Sequence, residues 1–549
     1  MRTVVSGVVL CLLLFSSALT GSAQSWRDYR SALPPNVRSG AAPAARHLND
    51  YVVDGKLTLS LHDAIALALA NNSNVRLEES AVENEKMALL GALAPFDAQV
   101  QGQLNINRFS TPGYTELQGV GVSSNATLNS LSQFGQLGYS QTFITGTNVQ
   151  ANIGSTKNSQ NSGFLFFNPF FNSTLSLQFT QPLLRGFGRF ANTAPILIAR
   201  RGLAQSQAAF QGQVSDAIFQ VVLQYWNALQ ARGNLDVSDR SLKLAQASYD
   251  HEKRALELGA LPPLDIYRSQ SEVAARRVQV IQAQYAAEQA EEDLRLTIGA
   301  DQDPLIHALP LNLTEKPDKG SDALAPDPQA ELAKAMSNRP ELEAEAAALD
   351  VDRAGIRLAH NQLLPSLSFN GFYQSNGLGG NQYNLTTNQL ISQGGFGSSF
   401  SQLFGFGYPG YGGTLTLQMP IRNHAAQAAL GNALVARSRD LYNSRLTKEQ
   451  ILHDVTLAID DMKQAKSALE AAQSSYDLAQ KSLTADQRKY ELGAETNFFV
   501  LDSQERLAQA ELVLLQTQIG LQVASATLSH ATGDILEPYH VQIKDQFSQ

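Results

Sequence analysis

Two stretches of this chain that almost lack charge, set between blocks rich in it, restrict what the chain can fold into. Residues 98–182 carry only Arg108, Glu116 and Lys157, and residues 366–419 carry no Asp, Glu, Lys or Arg. Both are crowded with Gly, Asn, Gln, Ser, Thr and Phe, whereas the blocks around them are rich in Ala, Leu, Gln and charge. The charged blocks also repeat. Overlaying 254–299 on 488–533 without gaps gives 13 identities in 46 positions. Among them are Glu257-Leu258-Gly259-Ala260 on Glu491-Leu492-Gly493-Ala494 and Ser269-Gln270 on Ser503-Gln504. A duplicated helical unit in which each copy carries an uncharged insert points to a membrane channel rather than an enzyme.

The inserts alternate with period two. Ala98, Val100, Gly102, Leu104 and Ile106 are interleaved with Gln99, Gln101, Gln103, Asn105 and Asn107. Leu175, Leu177 and Phe179 alternate with Thr174, Ser176, Gln178 and Thr180, and Leu415, Leu417 and Met419 with Thr414, Thr416 and Gln418. Apolar-out, polar-in alternation over about ten residues is the pattern of outer-membrane barrels, and about ten residues suffice for a tilted crossing. Four such strands cannot close a barrel, and open strand edges are not tolerated in lipid. The pattern therefore predicts a barrel shared between subunits. Residues 137–154 read as a further hairpin, with Leu137, Tyr139, Gln141 and Phe143 leading through Thr145-Gly146-Thr147 to Val149, Ala151 and Ile153. Periodicity alone leaves open whether this hairpin is an elaborated external loop or a pair of extra membrane strands.

The charged blocks read as helices. Ile196, Leu197, Leu203, Phe210, Val214, Ile218, Val221, Val222, Tyr225 and Leu229 keep helical spacing, and after Pro195 no proline intervenes until Pro262. The spacing predicts helices over 60–94, 194–258, 264–298, 328–364, 425–490 and 498–531, so that in each copy a long helix faces two stacked short ones. Broad Ala-rich stripes suit close packing with neighbours on both sides. Gly299 is a natural helix stop. The resulting layout is a first repeat over 57–325 with its β insert at 97–182, a second over 326–535 with its insert at 366–420, and a tail at 536–549.

Met1–Ala23 has the makings of a secretory signal peptide, with Arg2, an apolar core over Val8–Phe15 and Gly21-Ser22-Ala23 as the cleavage site. The single cysteine, Cys11, lies inside that core, so the mature chain is expected to have no thiol or disulfide. Residues 24–56 read as an extended leader, and nothing downstream reads as a transmembrane helix. A net charge of −9 and the absence of Lys/Arg clusters argue against nucleic-acid binding. The nine histidines include no metal-spaced pair, and Gly186-Phe187-Gly188 lacks the third glycine of a nucleotide loop. No cofactor, metal or catalytic residue is expected. Two other classes fit part of the pattern. A general diffusion porin would account for the strands, and a periplasmic coiled-coil adaptor or scaffold for the helices.

Three motifs carry a family resemblance. Leu57-Thr58-Leu59-Ser60-Leu61-His62-Asp63-Ala64, running on to Asn72, resembles the N-terminal signature of the TolC-type outer-membrane efflux proteins. Gln181-Pro182-Leu183-Leu184-Arg185-Gly186-Phe187-Gly188 resembles that family's strand-to-helix junction, and Asn338-Arg339-Pro340-Glu341-Leu342, running to Leu364-Pro365, the start of its second repeat. The resemblance covers about 57–535. It implies an α+β membrane protein built from two structural repeats, with a shared trimeric transmembrane β-barrel continued by a long periplasmic α-helical barrel. Each subunit of the homotrimer would give four strands to a twelve-stranded barrel in outer-membrane lipid. It also implies an exit duct for efflux or type I secretion, coupled to a periplasmic adaptor (membrane fusion) protein and an inner-membrane pump.

Site residues follow from the resemblance. Pro95, Pro182, Pro365 and Pro420 mark the strand–helix junctions. The turns at Leu258, Gly259 and Ala260 and at Leu492, Gly493 and Ala494 correspond to the helix tips that meet the adaptor. Asp265 and Asp502 match acidic pore positions at the periplasmic constriction, where a trimer would form rings of carboxylates. The alternative for both is an ordinary helix-starting aspartate stabilised by the helix dipole. Tyr490 resembles a residue that links neighbouring helices in the closed state, while Glu495 stands where that network would have a basic partner.

Overall fold

In the computed structural model the described residues are 48–112, 127–161, 165–258, 266–317, 326–387, 389–492 and 494–541. The expected signal peptide, most of the leader and the end of the tail lie outside them. The chain divides into two compact units, one holding Lys86–Arg201 and Leu349–Ser438, the other Ala42–Glu85, Gly202–Ala348 and Arg439–Gln549.

The first unit is built on a sheet of long strands: β3 (Gln99–Pro112), β4 (Thr127–Thr142), β5 (Asn148–Gln160), β6 (Phe167–Pro182), β8 (Ser366–Tyr383) and β10 (Pro409–Gln418). Their order is β10-β8-β6-β5-β4-β3, all neighbours antiparallel, with the short β9 (Leu390–Ser392) pairing off β8. Where the resemblance implies four strands per chain, the described residues hold six long ones. The additional pair is the 137–154 hairpin, lengthened at both ends into β4 and β5. Side chains alternate across a pleated strand, so the ladder register assigns every residue to one of two faces. Val100, Tyr139, Ala151, Leu177, Tyr373 and Tyr411 lie opposite one another in turn, forming one apolar row from edge to edge. The row one residue on, Gln101, Gly138, Asn152, Ser176, Gln374 and Gly410, occupies the other face and is polar or glycine throughout.

A short helix, residues Phe396–Gly405, lies against β8 and β6. It packs there because the strand side is bare. A Cβ at Gly377 would overlap the Ser399 carbonyl, and one at Gly379 the Gly395 carbonyl. Ser399 Oγ donates to Ser173 Oγ (2.6 Å) and Ser375 Oγ to the Leu403 carbonyl (2.7 Å), all three serines being fully buried.

The helices, in chain order, are α1 (Leu61–Asn71), α2 (Ser73–Gly91), α3 (Gly188–Glu257), α4 (Ile266–Ile298), α5 (Pro304–His307), α6 (Pro328–Asn338), α7 (Pro340–Leu363), α8 (the Phe396–Gly405 helix), α9 (His424–Glu491) and α10 (Asn497–Thr532). At 70 and 68 residues, α3 and α9 each amount to roughly 100 Å of helix. Two expected helices are interrupted. The 60–94 segment breaks at Asn72, which is extended, and the 328–364 segment breaks at Arg339, because the residue before a proline is pushed out of the helical region. A capping box closes the start of α1, with the Ser60 side chain accepting from the Asp63 amide and the Asp63 carboxylate accepting from the Ser60 amide.

The core of the second unit gathers Leu57, Leu59, Ile65 and Leu67 with Ile218, Val221, Val222, Tyr225, Leu294, Ile298, Ile519 and Ile535. It includes a three-stranded sheet of β1 (Val52–Val53), β2 (Lys56–Leu59) and β7 (Leu311–Leu313), of which β1 and part of β2 fall in the expected leader. The residues Phe498–Thr532 are long and apolar enough to cross a membrane by length and composition, contrary to the expectation for this stretch. Their apolar side chains serve helix packing: Ile519 and Ala526 join the core around Tyr225, while Leu521 and Ala524 pack with Met462 and Leu469.

Tyr225 ties this core together, its buried hydroxyl donating to the Leu59 carbonyl (3.1 Å) and accepting from the Glu315 amide (3.2 Å). Tyr225→Phe takes the partner from the Glu315 amide, while the Leu59 carbonyl keeps the Thr314 amide (3.2 Å), so it should cost about 1 kcal/mol. Thermal unfolding in detergent should register a lower midpoint, with the β signal of the other unit unchanged.

Candidate functional site

The candidate residues fall in two regions: the sheet with its junctions, and the helix tips. In the junction region, β6 ends at Pro182, and the chain turns through positive-φ Gly186 and Gly188 into α3. The Leu183 amide donates to the Leu367 carbonyl (2.7 Å) and the Arg185 amide to Pro365 (3.3 Å), fastening this junction to the start of β8. Asn361 Oδ1 accepts from the Gly186 amide (2.8 Å). Pro95 lies in a 3-10 turn ahead of β3, Pro365 sits between α7 and β8, and Pro420 follows β10. The turn between β4 and β5 arrives at the same place. The Gly188 amide donates to Thr145, and a Cβ on Gly146 would meet the Gly186 carbonyl at 2.8 Å and Pro182 Cγ at 3.0 Å. The hairpin thus bends at the helix end of the sheet, and β4 and β5 run from there in step with β6.

The polar face holds no ionisable side chain on any of the six strands. Arg108 and Lys157, the only charged strand residues, share the apolar-face parity of Ile106 and Ile153. Lys157 lies 5.8 Å from the Phe171 ring centroid. The polar face itself is lined with amides and hydroxyls such as Gln99, Gln101, Gln103, Gln136, Asn152 and Gln178; Gln136 Nε2 donates to Asn152 Oδ1 across neighbouring strands (3.1 Å).

At the tips, Leu258 and Leu492 are 84% and 80% exposed, and Ala494 is exposed as well. Gly259, Ala260, Asp265 and Gly493 lie outside the described residues. A feature that the sequence reading did not isolate secures both tips. Ser269 donates to the Glu252 carboxylate and Ser503 to the Asp486 carboxylate (2.6 Å), each pair 17 residues apart across its turn. The two clasps correspond when the overlay is carried two residues back, to Glu252 on Asp486, and the repeated Ser-Gln dipeptide is their visible trace. Glu252, Ser269 and Ser503 are all buried.

The second tip has a further ion network. Lys489 Nζ lies 2.7 Å from Glu495 and 3.2 Å from Asp486. Glu495 therefore has its basic partner within its own hairpin. Asp502 pairs with Arg506 one turn on (2.8 Å), which offsets its charge. Tyr490 meets the His251 ring edge-on at 6.3 Å, and Arg268 stacks over Phe498 at 4.5 Å, so the two hairpins touch through aromatic and cationic groups. The structure does not bring Tyr490 and Asp502 into hydrogen-bond contact with each other.

The Ser503 hydrogen bond, then Lys489, hold the Asp486 carboxyl below its ordinary range. A carboxyl whose folded value is depressed adds stability above its unfolded value of about 4 and loses it as pH falls through the folded one. Ser503→Ala should therefore lower the unfolding midpoint at neutral pH. The gap from wild type should narrow as pH drops from about 5 to about 3, a comparison that thermal melts of the two proteins would settle.

Comparisons with known proteins fit this geometry. The sequence profile of the outer membrane efflux protein family matches residues 147–300 and 332–534. The toluene efflux pump outer membrane protein TtgC of Pseudomonas putida is 22% identical over 342 residues, 61% of this chain and 63% of that protein. The pyoverdine export outer membrane protein OpmQ of the same species is 24% identical over 318 residues, 56% of this chain and 60% of that one. The match thus reaches just under two thirds of these relatives' length. Among solved structures, a membrane protein from Pseudomonas aeruginosa superposes with a TM-score of 0.61 at 17% identity, covering 90% of this chain and 97% of that one. The open-state MtrE outer membrane channel of Neisseria gonorrhoeae gives 0.59 at 18% identity, covering 87% and 89%. These structures share the fold.

Proposed function

The chain belongs to the outer membrane efflux protein family, and from that premise we propose that it is the exit duct of a tripartite efflux or type I secretion system. The observation that carries the reading is one sheet with an apolar face and an uncharged polar face, whose strands lead into helices of 70 and 68 residues. An apolar outer face suits lipid, and a polar inner face suits an aqueous passage. A general diffusion porin would have no use for such helices. A periplasmic scaffold would have none for the alternating sheet.

On this reading three copies form the channel, because the free edges of β3 and β10 need partners in a bilayer. The strands occupy outer-membrane lipid and the helices form a periplasmic barrel. A periplasmic adaptor docks at the tips, where Leu258 and Leu492 offer apolar knobs beside Gly259 and Gly493, and an inner-membrane pump chooses the cargo. Efflux of toluene and export of pyoverdine, named for TtgC and OpmQ, are examples of the range such ducts serve. Asp265, Asp502 and Tyr490 belong to the periplasmic constriction, and Arg506, paired with Asp502, tempers that charge.

Planar-bilayer recordings on the purified, reconstituted protein test the duct reading; a preparation that gives no conducting events would sink it. Within that assay, Asp265→Asn should lower cation selectivity more than Asp502→Asn does, whereas Arg506→Ala should raise it. Unchanged selectivity in all three would move the constriction elsewhere. Gly259→Val and Gly493→Val should reduce export in cells several-fold while leaving the yield of assembled protein near wild type. Export equal to wild type would remove the tips from the docking surface.

A further inference from the structure

We propose that this chain gives six strands, not four, to the membrane barrel, so that three copies close an eighteen-stranded barrel through β10–β3 pairing between subunits. The proposal rests on the trimeric duct reading above and deepens it.

Three observations carry it. First, β4 and β5 are continuous members of the sheet. Thirteen or more residue pairs join β3 to β4 and β4 to β5, and eleven join β5 to β6. Second, their outward residues match the band on their neighbours. Leu137, Tyr139, Val149, Ala151 and Ile153 fall on the same face as Val100, Leu175, Leu177, Phe179, Leu367 and Leu415. The opposite face of the hairpin stays uncharged and polar through Gln136, Ser140, Gln150 and Asn152. An external elaboration would have no reason to keep that alternation in register with membrane strands. Third, the turn at Gly146 is seated against Pro182, Gly186 and Gly188, at the helix end. The hairpin therefore starts where the neighbouring strands start and covers the same height.

The edges suit a second copy of this chain. β3 runs away from the helix end and β10 returns to it, so β10 beside the next copy's β3 continues the antiparallel order. An inserted hairpin adds one strand in each direction and leaves that order intact. Both edges also carry apolar residues on the common face, Leu104 and Ile106 on β3 and Tyr411 and Leu417 on β10, all exposed in the single chain. With strands about 4.8 Å apart and tilted by about 40°, eighteen strands give a barrel roughly 36 Å across at the backbone, against roughly 24 Å for twelve. Barrels of that strand number leave an open aqueous lumen. Here the lumen is lined by neutral side chains, chiefly amides and hydroxyls with Phe134, Phe372 and Leu378 among them, a surface that passes large solutes of either charge.

Site-directed labelling tests this on the full-length protein in native outer membranes. Single cysteines are placed at Gln136→Cys and Asn152→Cys on the polar face and at Leu137→Cys and Ile153→Cys on the apolar face. A charged, water-soluble thiol reagent should modify the first two and lower single-channel conductance by a measurable step, while the latter two should react only with a lipid-soluble maleimide. Light scattering on the detergent-extracted protein should count three chains. Equal reaction of all four cysteines with the water-soluble reagent would place the hairpin outside the bilayer and overturn the proposal, with the duct reading intact. Two chains per particle would give twelve strands and overturn it as well. Wild-type protein that conducts nothing would instead defeat the duct reading, and the labelling pattern would still report where the hairpin lies.

Discussion

Backbone hydrogen bonding at the two edges of the long sheet is the constraint on which the rest depends. Inside the sheet each strand satisfies its neighbours from Gln99 through Gln418, but β3 and β10 each present one row of unpaired amides and carbonyls. In water such edges are tolerated with protective devices; in hydrocarbon each unsatisfied group costs several kcal/mol. The two faces then follow from the same setting. In the proposed barrel one side must be apolar to meet lipid, and the other is free to be polar because it meets water.

The helical unit solves a different problem. Helices of this length gain little from propensity and rely on packing along their faces. Tyr225, Ile218, Val221 and Val222 of α3 supply a core at one level, and Ile451, Val455, Ala458 and Ile459 of α9 supply another with Ala335 and Ala531. At the turns, where apolar burial runs out, polar clasps take over: Glu252 with Ser269 and Asp486 with Ser503. Each joins a helix to its successor by a charge-assisted hydrogen bond, stronger than one between neutral groups. That leaves Leu258 and Leu492 free to face outward.

Much of this was legible in the residues. The period-two alternation at 98–107 falls in the strand Gln99–Pro112, because in a two-faced sheet the environment changes with every residue. The spacing from Ile196 to Leu229 falls in α3, and from Phe210 on its apolar stripe serves the core around Tyr225. The hairpin at 137–154 was visible as strands, yet its destination was not. Where a turn sits is a tertiary fact, decided here by Gly146 fitting against Gly186, and no local pattern encodes it. The small sheet of β1, β2 and β7 was hidden for a similar reason, its parallel pairing of Leu57–Leu59 with Leu311–Leu313 joining segments far apart in sequence. At the tips, the duplicated serines could be seen but their partners could not. A Glu in one copy and an Asp in the other break the identity while keeping the chemistry.

The turn at Thr145-Gly146-Thr147 has a consequence for how such chains can diverge. Every other strand end on its side of the sheet is joined in sequence to a helix, whereas β4 and β5 are joined only to each other. Sheet width is thereby uncoupled from helix number. On the proposed assembly, a lineage could widen its barrel by duplicating or acquiring one hairpin between two existing strands, with no matching change in helix number. The apolar and polar faces keep their parity through such an insertion, so each intermediate remains a foldable sheet. Bore would then be a heritable variable separate from the docking surface, free to track cargo size while the tips stay matched to their partner.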